Sequence, residues 1–402
     1  MNAELSSVLT INAGSSSIRF ALYQAGHTPR LRLDGKIDRI GSSGTKLLVN
    51  DPVGKPQIPH RRAALDHREA VGFLPEWLQA QPLFASVKAV GHRVVHGMKH
   101  SEPARVTPKL LAELRRLKSY APEHLPRESA LIEAWLRHHP HLPQVACFDT
   151  AFHRTMPRVA KWLPIPRRYA AKGVERYGFH GLSYAYLMQT LERLDPVAAQ
   201  GRVILAHLGS GASVAAVRNG RCIDSSMGFT PTSGLVMSTR AGDVDPGLVH
   251  YLARTERMTA ARFQRMVTHE SGLLGVSGIS ADVRVLLAQE ARNVRAAEAV
   301  ALFCYRAKQW IGSLAAALGG VDTLVFAGGI GENAPLIRNR ICDGLGFLGI
   351  EISQRRNARN ALLTSPDASR VTVRVIRTKE ELMIARSVTR ILALDAIRQS
   401  ET

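Results

Sequence analysis

Four short stretches set charged and polar residues among apolar neighbours. They are Gly91-His92-Arg93-Val94-Val95-His96-Gly97, Cys147-Phe148-Asp149-Thr150-Ala151-Phe152-His153, Arg176-Tyr177-Gly178-Phe179-His180-Gly181 and Ser238-Thr239-Arg240-Ala241-Gly242-Asp243-Val244-Asp245-Pro246. An ionised group is costly to bury unless it is paired or used. One such stretch reads as an internal salt bridge; four of them, beside two Gly/Ser turns, read as an active site. The turns are Asn12-Ala13-Gly14-Ser15-Ser16-Ser17 and Gly209-Ser210-Gly211-Ala212-Ser213. Glycine admits close approach, while serine hydroxyls and free N–H groups point outward, which makes an anion cradle. Two cradles, one in each half, suit a polyphosphate held between them. Each residue alone has a plainer reading: a tight hairpin for either turn, a satisfied core histidine for His180, a strand-end cap for Asp149, and the helix dipole for Glu380.

The elements that must position these groups alternate strand and helix. Val8 to Ile11 and Ile18 to Tyr23 flank the first turn; Val203 to Leu208 and Val214 to Val217 flank the second, followed by a turn at Arg218-Asn219-Gly220. Gly14 and Gly209 lie close to half a chain length apart, which points to a duplicated α/β domain. Helices are predicted over Pro108 to Lys118, Arg127 to Arg137 and Arg292 to Leu318, the last capped by Gly319-Gly320. Thr323 to Ala327 reads as a buried strand, with Asn333 as N-cap of the helix after it, and Val371 to Ile376 as a late strand. In the final helix, Thr378 and Glu381 fit a capping box, and Leu382, Ala385, Val388, Ile391 and Leu392 share an apolar face.

Composition narrows the class. The 402 residues are 45% hydrophobic and 21% charged, ample for two or three cored domains at ~150 residues each and unlike a disordered chain. No charge-free stretch reaches the ~18 to 20 residues of a membrane-spanning helix. Glu4 and the lack of an early basic residue argue against a secretory leader. Cys147, Cys222, Cys304 and Cys342 form no CxxC pair, the usage of a reducing, cytoplasmic compartment. The formal charge of +20 raises nucleic-acid binding, but the basic pairs (Arg61-Arg62, Arg115-Arg116, Arg167-Arg168, Arg355-Arg356) are dispersed and aromatics are only 6%. An anionic small substrate is the other use of such a field. Gly344 to Gly349 matches GxGxxG but follows a helix and precedes a strand-like run, the reverse of a dinucleotide site, and is read as a helix-end turn. GxxxxGK[ST], HExxH and GxSxG do not occur.

Taken together, INAGSSSIRF, GHRVVHG, FDTAFH, RYGFHG, AHLGSGAS, TRAGDVDP, GVSGISADVR, FAGGIGEN and EELMIAR run in order from residue 11 to residue 386. They resemble the acetate and propionate kinase family, within the sugar kinase, Hsp70 and actin superfamily. The resemblance implies an α/β fold with a duplicated actin-like (ribonuclease H-like) ATPase core, an active-site cleft between two domains, and a homodimer. One domain would span 1–150 plus the final helix (383–402), the other 151–382. The implied reaction, which needs Mg2+ (Mn2+ as a substitute), moves a phosphoryl group reversibly and in line from ATP to a short carboxylate, giving ADP and an acyl phosphate, with acetate the first choice and propionate or butyrate the alternatives. A carboxylate is already ionised at pH 7 and needs no general base; the obstacle is the repulsion between two anions.

On that resemblance Arg93 holds the carboxylate, and Val94, Phe179 and Pro231 form its apolar wall. Arg240 and His180 stabilise the phosphoryl group in flight, and Asp149 positions Mg2+ or the reactants. Asn12 and Glu380 correspond to the magnesium site. Nucleotide contacts fall to Arg19, to His207, Leu208, Gly209, Ser210 and Gly211, to Asp282, Val283 and Arg284, and to Gly329, Ile330, Gly331, Glu332 and Asn333. His124 and His153 are further candidates, and Glu381 is left structural. The chain departs from the family pattern at Arg19 (usually Lys), Ser210 (Asn), Ser238 (Gly), Arg377 (Pro), Glu123 (apolar) and Thr232-Ser233 (Leu-Glu). Glu123 bears most on the choice of acid, since a carboxylate there repels an anionic substrate unless it is paired, for instance with Arg127. The rival readings are a non-catalytic actin-like ATP-binding module and a nucleic-acid binder.

Overall fold

The computed structural model describes residues 6–14, 17–41, 44–50, 60–61 and 65–394. Glu4, Ser15, Ser16 and Arg62, named above, lie outside the described residues. The chain divides into two compact units, Met1–Ala151 with Lys379–Thr402, and Phe152–Thr378.

The first unit is built on an eight-stranded sheet. Its strands are β1 (Ser7–Ala13), β2 (Ser17–Gln24), β3 (Arg30–Asp38), β4 (Lys46–Asn50), β5 (His60–Arg61), β6 (Val87–Val94), β7 (Ala104–Arg105) and β8 (Gln144–Phe148), in the order β5-β4-β3-β2-β1-β6-β8-β7. The second unit holds β9 (Arg202–Leu208), β10 (Ala212–Arg218), β11 (Arg221–Ser225), β12 (Thr323–Ala327) and β13 (Thr372–Val375), in the order β11-β10-β9-β12-β13. The same plan occurs twice. β3, β2 and β1 pair antiparallel and continue through β6 and β8 in parallel; β11, β10 and β9 pair antiparallel and continue through β12 and β13 in parallel. The duplicated α/β core read from the two hairpins is therefore present, with Gly14 and Gly209 in equivalent turns.

Local chemistry explains the strands. β1 is buried along its whole length, as a central strand paired on both sides is, and its polar Thr10 hydroxyl is satisfied by the Ala21 carbonyl (3.1 Å). β3 alternates buried and half-exposed residues, the mark of a sheet with one wet face. Between β10 and β11, Asn219 and Gly220 both take positive φ (51° and 68°), the two-residue turn that matches strand twist. Helices close the layers. Val294–Leu318 starts on Asn293, whose side chain accepts from Ala296 N–H, ends at left-handed Gly319, and packs against β9, β10 and β11.

Several local expectations are corrected. The last helix, Glu380–Ile391, has Lys379 at its N-cap with no side-chain cap bond, so the Thr378–Glu381 capping box does not form; the Thr378 hydroxyl pairs with Ser183 Oγ at 2.8 Å. Its buried face is Met383, Ile384, Ala385, Val388 and Thr389, one step round from the predicted stripe, because the helix lies against β1, β6 and β8. Asn333 closes the short helix Gly328–Asn333, donating to the Gly329 carbonyl (2.9 Å), and Ala334 precedes the next helix. The remaining helices begin or end within two residues of expectation, with Leu117–Ser119 tightening into a 3-10 turn.

Gly91 on β6 makes the contact with the last helix possible. A Cβ there would run into the Ile384 methyl and come within 2.6 Å of Val388 Cγ2. Gly91→Ala should therefore lower the stability of the chain by about 1–3 kcal/mol, the usual cost of overpacking, as read by urea unfolding.

Candidate functional site

In the first unit the predicted residues gather at the ends of β1, β6 and β8. Asp149 follows β8, its N–H donating to the Val94 carbonyl (3.0 Å). Arg93 donates through Nε and Nη2 to Asp149 Oδ2, at 2.8 and 2.5 Å. Its Nη1 edge makes only long contacts, 3.5 Å to Asn12 Oδ1 and 3.4 Å to the Ala13 carbonyl, so that edge can still take a ligand oxygen. Asn12, on β1, donates through Nδ2 to Glu380 Oε2 (3.0 Å) and Glu381 Oε1 (3.4 Å). Arg19 pairs with Asn12 across β1 and β2 and is exposed. Val94 is fully buried. Burial works against the charge on Arg93, but Asp149, Glu380 and Glu128 outweigh it and raise its pKa.

Two acids here were not foreseen. Glu381, assigned to a cap, instead shares Asn12 with Glu380; burial and the Glu380 charge raise its pKa. Glu128, in the helix Leu125–His138, is 3% exposed and accepts from Val95 N–H at 3.0 Å. Desolvation pushes its carboxyl up to about 8, against the pull of Arg93 and the Val95 N–H. At neutral pH it is mostly protonated, and the partner that holds Arg93 is Asp149. His124 is buried just before that helix, and Glu123 is half-buried.

In the second unit the predicted groups converge on the β9–β10 turn. His180 precedes the helix Gly181–Leu194 and stacks on His207 with ring centroids 4.3 Å apart. Its Nδ1 lies 2.8 Å from Ser213 Oγ, and Ser213 lies 2.5 Å from Tyr184 OH. Burial raises the Tyr184 pKa, so the phenol keeps its proton beside Ser213. This leaves His180 Nε2 as the ring atom that faces the turn. A Cβ built on Gly211 would lie 3.1 Å from His180 Nε2 and 3.6 Å from Arg240 Nη1, so both groups border the space beside this glycine. Arg240 Nη1 also donates to the Pro231 carbonyl (3.1 Å). Ser238 N–H donates to Ser210 O (3.2 Å), tying the arginine loop to the turn. Phe179 and Pro231 are buried.

The second glycine loop adjoins the first. A Cβ on Gly209 would be 3.8 Å from Gly329 N and 3.8 Å from His207 Nε2, and one on Gly328 would meet the Leu208 carbonyl at 2.7 Å. His207 Nδ1 is engaged by Ser183 Oγ (2.8 Å). Glu332 Oε1 accepts from Gly328 N–H (2.9 Å) and Thr378 N–H (3.0 Å), so its carboxylate shapes the loop. Ile330 is half-buried and Gly331 buried in the same short helix. Asp282, Val283 and Arg284 stand at the start of the helix Val283–Gln289, where Asp282 caps and pairs with Arg284 (2.6 Å); their hydrogen bonds stay within that turn and Ser280. The Thr232-Ser233 departure is absorbed locally: Ser233 Oγ accepts from Gly228 N–H (2.9 Å) and Thr232 N–H donates to Thr230 (3.3 Å). A cavity of about 430 Å³ is lined by Arg176, Asp224, Thr230, Ser233 and Asp243, and by none of the residues assigned to the carboxylate, phosphoryl group, nucleotide or metal.

The donor set has the character of a hard-cation site: Asn12, Glu380, Glu381 and Asp149 offer oxygens only. No group of three His, Cys, Asp or Glu side chains is arranged as a closed metal site among the described residues. Such a sparse set fits Mg2+, which keeps waters and phosphate oxygens in its shell.

The sequence model of the acetokinase family matches residues 7–386. An acetate kinase of Rhodopseudomonas palustris is 45% identical over 395 residues, covering 96% of this chain and 98% of its own length. A propionate kinase of Citrobacter rodentium is 43% identical over 393 residues, covering 96% of each. The crystal structure of Porphyromonas gingivalis acetate kinase superposes with a TM-score of 0.85 at 36% identity, covering 96% of this chain and all of the other.

Glu128 gives the site a pH signature. Its carboxyl ionises near 4.5 when unfolded but only at about 8 in the fold. Between those values the native state holds the extra proton, so stability present below the lower value is lost as pH rises toward the upper one. Glu128→Gln should lose less stability than the native chain between about pH 5 and about pH 8, by ~1 kcal/mol or more, in paired urea titrations.

Proposed function

The chain belongs to the acetokinase family, and from that premise we propose that it transfers the γ-phosphoryl group of ATP, reversibly and in line, to a short-chain carboxylate, acetate first. One observation carries the reading: His180 Nε2 and Arg240 Nη1 approach the same side-chain-free glycine, Gly211, in the turn of a nucleotide cradle. Neutral and cationic donors aimed at one small space are what a transferring phosphoryl group requires.

The carboxylate needs no deprotonation. The open Nη1 edge of Arg93 receives it, while Asp149 fixes the guanidinium from the other side. Val94, Phe179 and Pro231 line the short acyl chain. An oxygen of the carboxylate bonds to the γ-phosphorus as the bond to the β–γ bridging oxygen breaks, and ADP leaves with that oxygen. Arg240 spreads its charge over the equatorial oxygens and His180 donates a hydrogen bond to them; a guanidinium fork suits this better than an ammonium. Gly209 to Gly211 and Gly329 to Gly331 bring backbone close to the nucleotide, and Arg19 supplies charge to its phosphates. Asn12, Glu380 and Asp149 would hold Mg2+, with Glu381 beside them, and the ion supplies charge neutralisation to the phosphates when bound.

We further propose a cytoplasmic homodimer. The helix Gly247–Thr255 has no buried residue and exposes Val249 and Tyr251, a face that suits a second copy of the chain in a homodimer. Cys147, Cys222, Cys304 and Cys342 are free and buried, which suits the reducing cytoplasm. No helix among the described residues is long and apolar enough to cross a membrane.

With ATP, Mg2+ and hydroxylamine as trap, the protein should form acetohydroxamate, with kcat/KM for acetate above that for propionate and butyrate; folded protein yielding no hydroxamate from any of the three acids would exclude the reaction. Arg93→Ala should raise KM for the carboxylate by about tenfold or more while leaving KM for ATP within about twofold, measured in the same assay.

A further inference from the structure

Phe179 and His180 lie in a turn that the backbone does not favour. Gly178 has φ +71° and His180, a non-glycine residue, has φ +58°. A left-handed histidine is strained and persists only when its surroundings hold it. The Gly178 Cα lies so close to His153 that a Cβ would come within 2.5 Å of its ring. His153 Nε2 is 2.8 Å from the Phe179 carbonyl, and His153 Nδ1 is 3.2 Å from Cys222 Sγ. His153, Phe179 and Cys222 are each 1% exposed.

The proton positions follow. A carbonyl only accepts, so Nε2 carries the imidazole proton and donates it to Phe179. Nδ1 is then an acceptor, and the thiol at 3.2 Å donates to it in preference to the Asp224 carbonyl at 3.6 Å. Desolvation holds His153 neutral, its pKa down at about 4, and pushes the Cys222 thiol up, so both protons stay in place across the working pH range. Thr155 donates to the Cys222 carbonyl (3.0 Å) and fixes that end of the chain of bonds. Buried groups this fully satisfied rigidify what they touch.

We propose that His153 is a positioning residue for the transfer: oriented by the Cys222 thiol, it clamps the Phe179 carbonyl and holds Phe179 and His180 in the left-handed turn that presents His180 Nε2 to the phosphoryl group. This deepens the reading above and rests on the roles given there to Phe179 and His180.

The test uses the full chain. His153→Leu keeps bulk but offers no donor; His153→Gln returns an amide N–H near the Nε2 position. His153→Leu should lower kcat by about tenfold or more with KM for ATP within about twofold, and His153→Gln should recover most of the loss. A general loss of structure would not show that split. A His153→Leu enzyme with native kcat, or a Gln variant no better than Leu, overturns the clamp. If His153→Leu fails to fold, the thiol decides: Cys222→Ser keeps a donor and should stay within about threefold of native kcat, and Cys222→Val should fall below it. Equal kcat in those two overturns the proposal. His180→Ala separates the premises: native kcat there refutes the catalytic reading itself, whereas a collapse there beside an unaffected His153→Leu refutes the clamp alone.

Discussion

Arg93 is the group on which the first unit's site depends. Its guanidinium is 13% exposed, and Asp149, Glu380 and Glu128 all act on it. Without that cation, Asp149 at 1% exposure would lose the ion pair that offsets its buried charge, and the approach of further carboxylates would be unfavourable. With it, the ends of β1, β6 and β8 can gather oxygen donors around one positive centre and still leave a guanidinium edge for an incoming anion. Glu128 shows the limit of the arrangement: one cation does not hold every nearby acid ionised, and desolvation leaves Glu128 its proton.

The second unit solves the complementary problem on the same sheet plan. In its equivalent turn, a Cβ added at Gly211 would meet His180 and Arg240. Few charges are buried here. His180 is held through Ser213 and Tyr184, His207 through Ser183, and the turn before His180 through His153 and Cys222. The same strand plan thus occurs in both units, with acids gathered near the turn of the first and a histidine and an arginine near the turn of the second.

Much of this was legible in the sequence where the cause is local. The β1–β2 and β9–β10 hairpins announce themselves through apolar runs around Gly/Ser turns, and their repetition gave the duplicated core. The Gly319 terminus of the longest helix follows from propensity alone, whereas its start is read at Arg292, one residue before the Asn293 cap. What failed was decided by contacts distant in sequence. Thr378 has a capping box within reach, but Ser183, remote in the chain, takes its hydroxyl, and Asn12 draws Glu381 away. Ser213 reads only as part of a Gly/Ser turn, and Glu128, Tyr184 and Cys222 gave no signal, because an acid in a helix, a tyrosine in a helix and a cysteine in a strand are ordinary until the fold sets them against Arg93, His180 and His153.

The central claim is that positive charge supplied by the protein, rather than proton abstraction, makes the transfer between two anions possible. Steady-state turnover of Arg240→Ala with ATP, Mg2+ and acetate, alongside its ATP affinity by calorimetry, tests it most directly. Loss of turnover by about a hundredfold or more with ATP binding retained is the predicted result; turnover within about threefold of native, in a variant that binds ATP normally, would contradict it.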